Sequence, residues 1–264
     1  MGVASFLFVD LGALILAVPV LPGEEPPVLP PPVLLKIASF IQPAVFTTIA
    51  VVVGIWLSPK VGLHAPAAEA ASRGEAFLPK LKPQILPGVL AGIASGVALV
   101  GTWVVAKPYF SAEFISRAEE FNRLMPNVTR FLYGGFTEEI LLRWGLMSFF
   151  VWAAWHVFRR LPPPRQRKPL PPLLGQEGSP ERPGAGYFVG AIFLSALIFG
   201  AGHLPLASML AGGLTAPIVV YVITANSIFG IVAGFLYWRR GLEAAIIAHI
   251  LAHVVLISAI YLAF

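Results

Sequence analysis

The residues able to do chemistry in this sequence are few, and they lie in apolar surroundings. Glu138, Glu139 and Arg143 occur in "TEEILLR", between "RFLYGGF" and "WGLMSFFVWAAWHVF". A charge at the bilayer centre costs at least ~2.5–3.5 kcal/mol even on lenient insertion scales, so an ionisable residue inside an apolar span reads as functional and needs a partner. On an α-helix of about 3.6 residues per turn, Glu139 and Arg143 share a face and neutralise each other, while Glu138 points about 100° away. An ion pair joining two helices would account for one Glu and one Arg. It leaves Glu138 over, as a carboxylate placed to act as a general base.

Three histidines join the carboxylates. His203 ends "FLSALIFGAGH", and His249 and His253 lie four apart in "AHILAH", on one face of the last apolar segment. A single buried His is most simply a hydrogen bonder between helices. Three beside an unpaired carboxylate point instead to a site built from Glu138, His203, His249 and His253. His64, in a connecting segment, and His156, near Arg159 and Arg160, read as interfacial. Asn226 reads as a hydrogen bonder between helices in preference to a cavity residue, and Gly134, Gly135, Gly200, Gly202, Gly230 and Gly234 as small residues that let helices approach.

The elements that must position these groups are membrane helices. Of 264 residues 57% are hydrophobic and 12% charged, against roughly 45–50% apolar and ~25% charged in soluble domains. The mean hydropathy is +0.81. The chain is expected to be an all-α, polytopic transmembrane bundle of about seven to eight helices with its site inside the membrane, an integral protein of a prokaryotic cell membrane. Cysteine is absent, which excludes disulfides, thiolate metal sites and a cysteine nucleophile. The net charge of +5 belongs to basic residues flanking the spans, which anionic lipid explains and nucleic acid does not. Lipid is therefore an expected partner and nucleic acid is not; the oligomeric state stays open.

Spans need about 20 mainly apolar residues, and seven segments qualify: Val3 to Val20, Leu34 to Leu57, Ile85 to Ala106, Val128 to Phe158, Tyr187 to His203, Pro217 to Trp238 and Leu242 to Phe264. The first lacks a basic leader and a clear cleavage site and carries Asp10, so it is kept as a membrane helix rather than a signal peptide. The Pro-rich tracts Ser58 to Gln84 and Arg159 to Gly186 read as mobile linkers. The segment "KPYFSAEFISRAEEFNRLMPNVTR" mixes Phe110, Phe114, Ile115 and Phe121 with acidic residues, as an interfacial amphipathic helix does. Counting Lys and Arg puts the two tracts and Arg239 to Gly241 on the cytoplasmic side, with the N-terminus inside and the C-terminus outside.

The order "EEILLR", "FGAGH", "HILAH" resembles the three motifs of the CAAX-protease and bacteriocin-processing (CPBP, or Abi) family of intramembrane glutamate proteases, which includes the Rce1-type prenyl-protein proteases. Glu138, Glu139 and Arg143 match the first motif, and Phe199 and His203 the second. His249 matches the third, with His253 where the family has Asn or Asp. The resemblance covers Val128 to the C-terminus, dividing the single membrane domain into residues 1–127, which hold N-terminal helices, linker and amphipathic helix, and a catalytic core over 128–264. It implies that Glu138, helped by His203, activates a water toward a scissile carbonyl, while His249 and His253 donate to the oxyanion, without a cofactor. Glu139, Arg143 and Phe199 would support them. The implied substrate is a membrane-associated peptide or prenylated protein of CAAX type.

Other readings stay open. His203, His249 and His253 with Glu138 also suit a zinc site in which the metal generates the hydroxide; metal-free hydrolysis is preferred on the resemblance. A proton or ion pathway, or a scaffold without activity, would use the same buried charges. Haem between two histidines would leave the carboxylates without a role.

Overall fold

The computed structural model describes residues 2–16, 30–158 and 182–263. The elements are a 3₁₀ segment Val3–Phe8, then α1 Leu11–Leu16, α2 Pro32–Val61, α3 Pro66–Ser72, α4 Leu78–Ala106 and α5 Ala112–Leu124. They continue as α6 Asn127–Phe158, α7 Ala185–Gly202, α8 Leu204–Ala211, α9 Ala216–Arg239 and α10 Leu242–Ala263. Among the described residues there is no strand, and six helical stretches are long and apolar enough to cross a membrane. The chain is a polytopic helical bundle. Large side chains such as Trp56, Val105 and Val220 point outward and are exposed, the arrangement that lipid, not water, requires of a bundle's outer face.

Small residues bring the helices together. Gly88, Gly92 and Gly96 of α4 lie against Ala244, Ala248 and Ala252 of α10, running parallel; a Cβ at Gly92 would come within 2.6 Å of the Ala248 carbonyl and of Leu251. This is small-residue packing at spacing four, which lets backbones approach closely without any hydrophobic drive from the lipid. On α7 and α9, which run antiparallel, Gly200 faces Ile223, Gly230 faces Ala196 and Gly234 faces Ile192. Gly202 has open space where its Cβ would be, so it is not a contact residue.

Two expectations are corrected. The segment Val3 to Val20 is not one continuous helix in its described part: Val9 is extended (φ −86°, ψ 129°) between the 3₁₀ segment and α1, and residues 17–20 lie outside the described residues. Instead of crossing, the 3₁₀ segment packs on α6, with Phe6 edge-on to Tyr133 at 4.9 Å and Thr129 donating to the Ser5 carbonyl at 3.1 Å. The tract Ser58 to Gln84 is not a loose tether. α2 runs through Val61 and ends where Gly62 takes φ 76°, a left-handed conformation that suits glycine, and Leu63 and Ala65 are buried.

That tract is pinned by one carboxylate. Glu243 Oε1, at the start of α10, accepts the amides of Ala67 and Ala68 at 2.8 Å each, and its Oε2 accepts Gln84 Nε2 at 3.1 Å. Gln84 Oε1 in turn accepts the Ala244 amide at 3.1 Å. Composition signalled many breaks but could not report partners about 160–176 residues away. Most of the second Pro-rich tract lies outside the described residues.

Candidate active site

The helix that carries the two glutamates does not wind as an α-helix. From Arg130–Glu138 and again over Ile140–Met147 it is a π-helix, a form that usually occurs as a single-turn bulge, frequently at functional sites. The side chains follow the i−5 register: Thr137 Oγ1 donates to the Leu132 carbonyl at 3.4 Å and Ser148 Oγ to that of Arg143 at 3.4 Å. The expected angle of about 100° between Glu138 and Glu139 rested on α winding. In the wider helix, both carboxylates reach one imidazole.

That imidazole is His249. Its Nδ1 lies 2.8 Å from Glu139 Oε1 and its Nε2 lies 3.8 Å from Glu138 Oε2. Because a carboxylate can only accept, Nδ1 carries the proton, and a neutral His249 then presents a lone pair at Nε2. Glu139 is fully buried and Arg143 is 1% exposed; Arg143 Nε lies 3.3 Å from Glu139 Oε2, and its Nη2 donates to the Gly230 carbonyl at 3.1 Å. The expected Glu139–Arg143 pair is therefore present. Among the described residues Arg143 Nε and Nη1 and Glu139 Oε2 make no aligned hydrogen bond, so the pair is held by charge at close range, which is strong where water is excluded. Glu138 is the outer carboxylate, its side chain 20% exposed.

His203 joins this cluster through Phe199. The Phe199 ring meets His203 edge-on at 4.8 Å and His249 at 6.1 Å, and the Arg143 guanidinium lies over it at 5.2 Å. Pro205, in the first turn of α8, lacks an N–H and cannot continue α7, so the chain breaks at His203. There Nδ1 donates to the Phe199 carbonyl at 2.8 Å, leaving Nε2 of a neutral ring as an acceptor. His253 stacks on His249 (4.9 Å, 12° between planes), and its Nε2 occupies the space over Gly134, where a Cβ would approach to 2.6 Å. Phe229 flanks His249 at 4.2 Å.

Among the described residues no group of three or more His, Asp and Glu side chains converges as metal ligands do. His64 and His156 lie apart from the cluster: the His64 carbonyl accepts the Leu242 amide, and His156 Nδ1 donates to the Trp152 carbonyl within its own helix.

A cavity of about 820 Å³ opens beside the cluster, between α4, α5, α8, α9 and α10. That is within the ~300–1,000 Å³ usual for small-molecule pockets. Trp103, Phe114 and Tyr221 give it an apolar wall, and His203 and Asn226 a polar one. Of the expected site residues His203 is on this wall; Glu138, His249 and His253 do not line the cavity. The amphipathic segment is realised as α5, capped by Ser111 Oγ, which accepts the Phe114 amide, and its Phe114, Ala118 and Phe121 line the cavity. Arg117 donates to the Leu210 carbonyl at 3.3 Å, and Arg130 donates to Asn122 Oδ1 at 3.0 Å and to the Asn122 carbonyl at 2.6 Å. Arg130, Asn122 and Phe229 were missed in the sequence, since nothing in their spacing sets them apart.

Neither the comparison with curated proteins nor that with solved structures gives a significant match to the chain. A family model described as type II CAAX prenyl endopeptidase Rce1-like matches residues 121–255, half of the chain and the whole stretch from the end of α5 through both glutamates to His253. The membrane bundle, its buried carboxylates and histidines and this match lead to one conclusion: the chain belongs to the Rce1-like family of type II CAAX prenyl endopeptidases.

Proposed function

We propose that the protein is an intramembrane endopeptidase that hydrolyses a peptide bond of a prenylated, CAAX-type substrate with water activated by Glu138, without a metal. The observation that carries this reading is the imidazole of His249 held between two carboxylates, Glu139 on Nδ1 and Glu138 near Nε2. Glu139 orients the ring and Arg143 balances Glu139, so Glu138 is left to exchange a proton. Glu138 takes a proton from water, its oxygen adds to the scissile carbonyl, and the proton returns to the departing amine as the C–N bond breaks. No covalent enzyme intermediate forms. General-base help of this kind contributes typically about 10²–10⁴-fold.

The supporting groups take roles that follow from their proton positions. His203, with Nδ1 donated to Phe199, offers Nε2 as acceptor for the attacking water. His249 donates from Nε2 to an oxyanion only as an imidazolium, because Glu139 already takes the Nδ1 proton; His253, beside it, is the second donor. Oxyanion donors are worth about 10²–10³-fold each. The apolar wall of the cavity suits an isoprenoid chain, which supports the prenylated substrate.

The test is cleavage of a farnesylated CAAX peptide by the purified protein in detergent, chelator-treated and zinc-loaded, beside Glu138→Gln. The expected result is cleavage that survives chelation and falls at least ~10²-fold in the variant. Cleavage that requires added zinc would replace the mechanism with a metal one. Failure to cleave any prenylated peptide, together with Glu138-dependent proton flux in vesicles, would overturn the protease reading in favour of a pathway.

A further inference from the structure

Asn226 has no role in the site as described, yet it stands where a substrate would pass. It lines the same cavity as His203, on α9, one turn before Gly230, whose carbonyl takes Arg143, and three residues before Phe229, whose ring flanks His249. The interhelical hydrogen bond expected from the sequence is not formed: Nδ2 donates to Val222 of its own helix at 2.8 Å. This bond orients the carboxamide and uses one of its two N–H groups. The second N–H and Oδ1 have no hydrogen-bond partner among the described residues, and the side chain is only partly buried.

A carboxamide is the side chain that matches a peptide group, donating to its C=O and accepting from its N–H. An extended peptide drawn into a cavity at membrane depth brings backbone groups that water no longer solvates, and each needs a protein partner. Of the other polar residues on the cavity wall, Lys107 and Glu119 pair with each other at 3.4 Å, Asn122 is bonded to Ala118 and Arg130, and His203 is committed to the chemistry. We infer that Asn226 is a substrate-positioning residue that pairs with one backbone amide of the bound peptide next to the scissile bond. The inference rests on the proteolytic reading above and adds to it the group that sets the peptide's register.

The test is an N-methyl scan. Farnesylated peptides carrying a single N-methyl group at each successive amide are cleaved by the native protein, Asn226→Ala and Asn226→Leu, with kcat/KM measured for each and thermal unfolding recorded for the proteins. For the native protein, one position near the scissile bond should lose about 10-fold or more on methylation, the loss of one good buried hydrogen bond. In both variants the unmethylated peptide should lose a similar factor, and methylation at that position should cost almost nothing further. Equal penalties at every position in native and variant proteins would overturn the role of Asn226 while leaving the protease intact. Absence of cleavage by the native protein would instead remove the proteolytic reading itself and the inference with it. The leucine variant keeps bulk in α9, so a merely structural effect would appear as lowered stability with the native N-methyl pattern unchanged.

Discussion

Glu138 and Glu139 are neighbours in the chain and of the same type, yet they differ in what a substitution should do. Glu139 is fully buried, bound to His249 and charge-paired with Arg143, so Glu139→Gln leaves a buried guanidinium uncompensated. Breaking a buried pair in this way costs about 3–5 kcal/mol, and the unfolding midpoint in detergent should drop together with activity. Glu138→Gln removes the outer, partly exposed carboxylate, which lies 3.8 Å from His249 Nε2, too far for a hydrogen bond; activity should be lost with the unfolding midpoint unchanged or slightly raised. Equal destabilisation by both would contradict the division of roles. A second pair is coupled through space: Gly134→Ala would push a methyl against His253 Nε2 and should lower cleavage, and His253→Asn, a shorter side chain, should restore part of it in the double variant. The Glu139–Arg143 pair was legible because it is local, four residues apart on one helix. The bond from Glu139 to His249 spans 110 residues, and no pattern in the sequence announces it.

At the scale of elements, two contacts decide whether the site is assembled. α4 and α10 meet through Gly88, Gly92 and Gly96, so Gly92→Leu has no space to enter and should cost at least about 1–3 kcal/mol by overpacking, seen as loss of monodisperse protein on extraction. Because α10 carries His249 and His253, the same change should disable cleavage in whatever protein folds. The repeated spacing of these glycines was in plain view, but their partner helix was not. Glu243 is the other contact, tying α3 and α4 to the head of α10. Glu243→Ala should lose about 1.5–3 kcal/mol, the value of charge-assisted hydrogen bonds, and open residues 62–77 to limited proteolysis at a rate the native protein does not show. A protease pattern equal to the native one would mean that the tract is held by its apolar contacts alone.

For the whole molecule, the connections at residues 62–77 and 240–241 lie at one end of the bundle, since Leu242 bonds His64 and Glu243 bonds Ala67. Lys60, Arg73, Lys80, Lys82, Arg239 and Arg240 are at this end, which the positive-inside rule assigns to the cytoplasm. The protein has no cysteine, so single substitutions report without background: Arg73→Cys should be labelled by an impermeant maleimide only from the cytoplasmic side, and Leu214→Cys, in the turn at the opposite end, only from the outside. The reverse pattern would invert the bundle. By itself the amino-acid sequence determined that the chain is a membrane bundle, where its long helices run to within a few residues except at the start of α4, seven residues earlier than expected, and which side chains carry charge into them, because burial of apolar length and the cost of buried charge are local and additive. It also carried the order of motifs that marks the family. Only the tertiary structure decided that the glutamate helix winds as a π-helix, that His249 sits between two carboxylates, that Val3–Phe8 packs against α6, and that Asn226 and α5 wall a cavity. Those outcomes depend on contacts between residues far apart in the chain, and the free energy of such contacts is set by the partner's position in space, which no local pattern encodes.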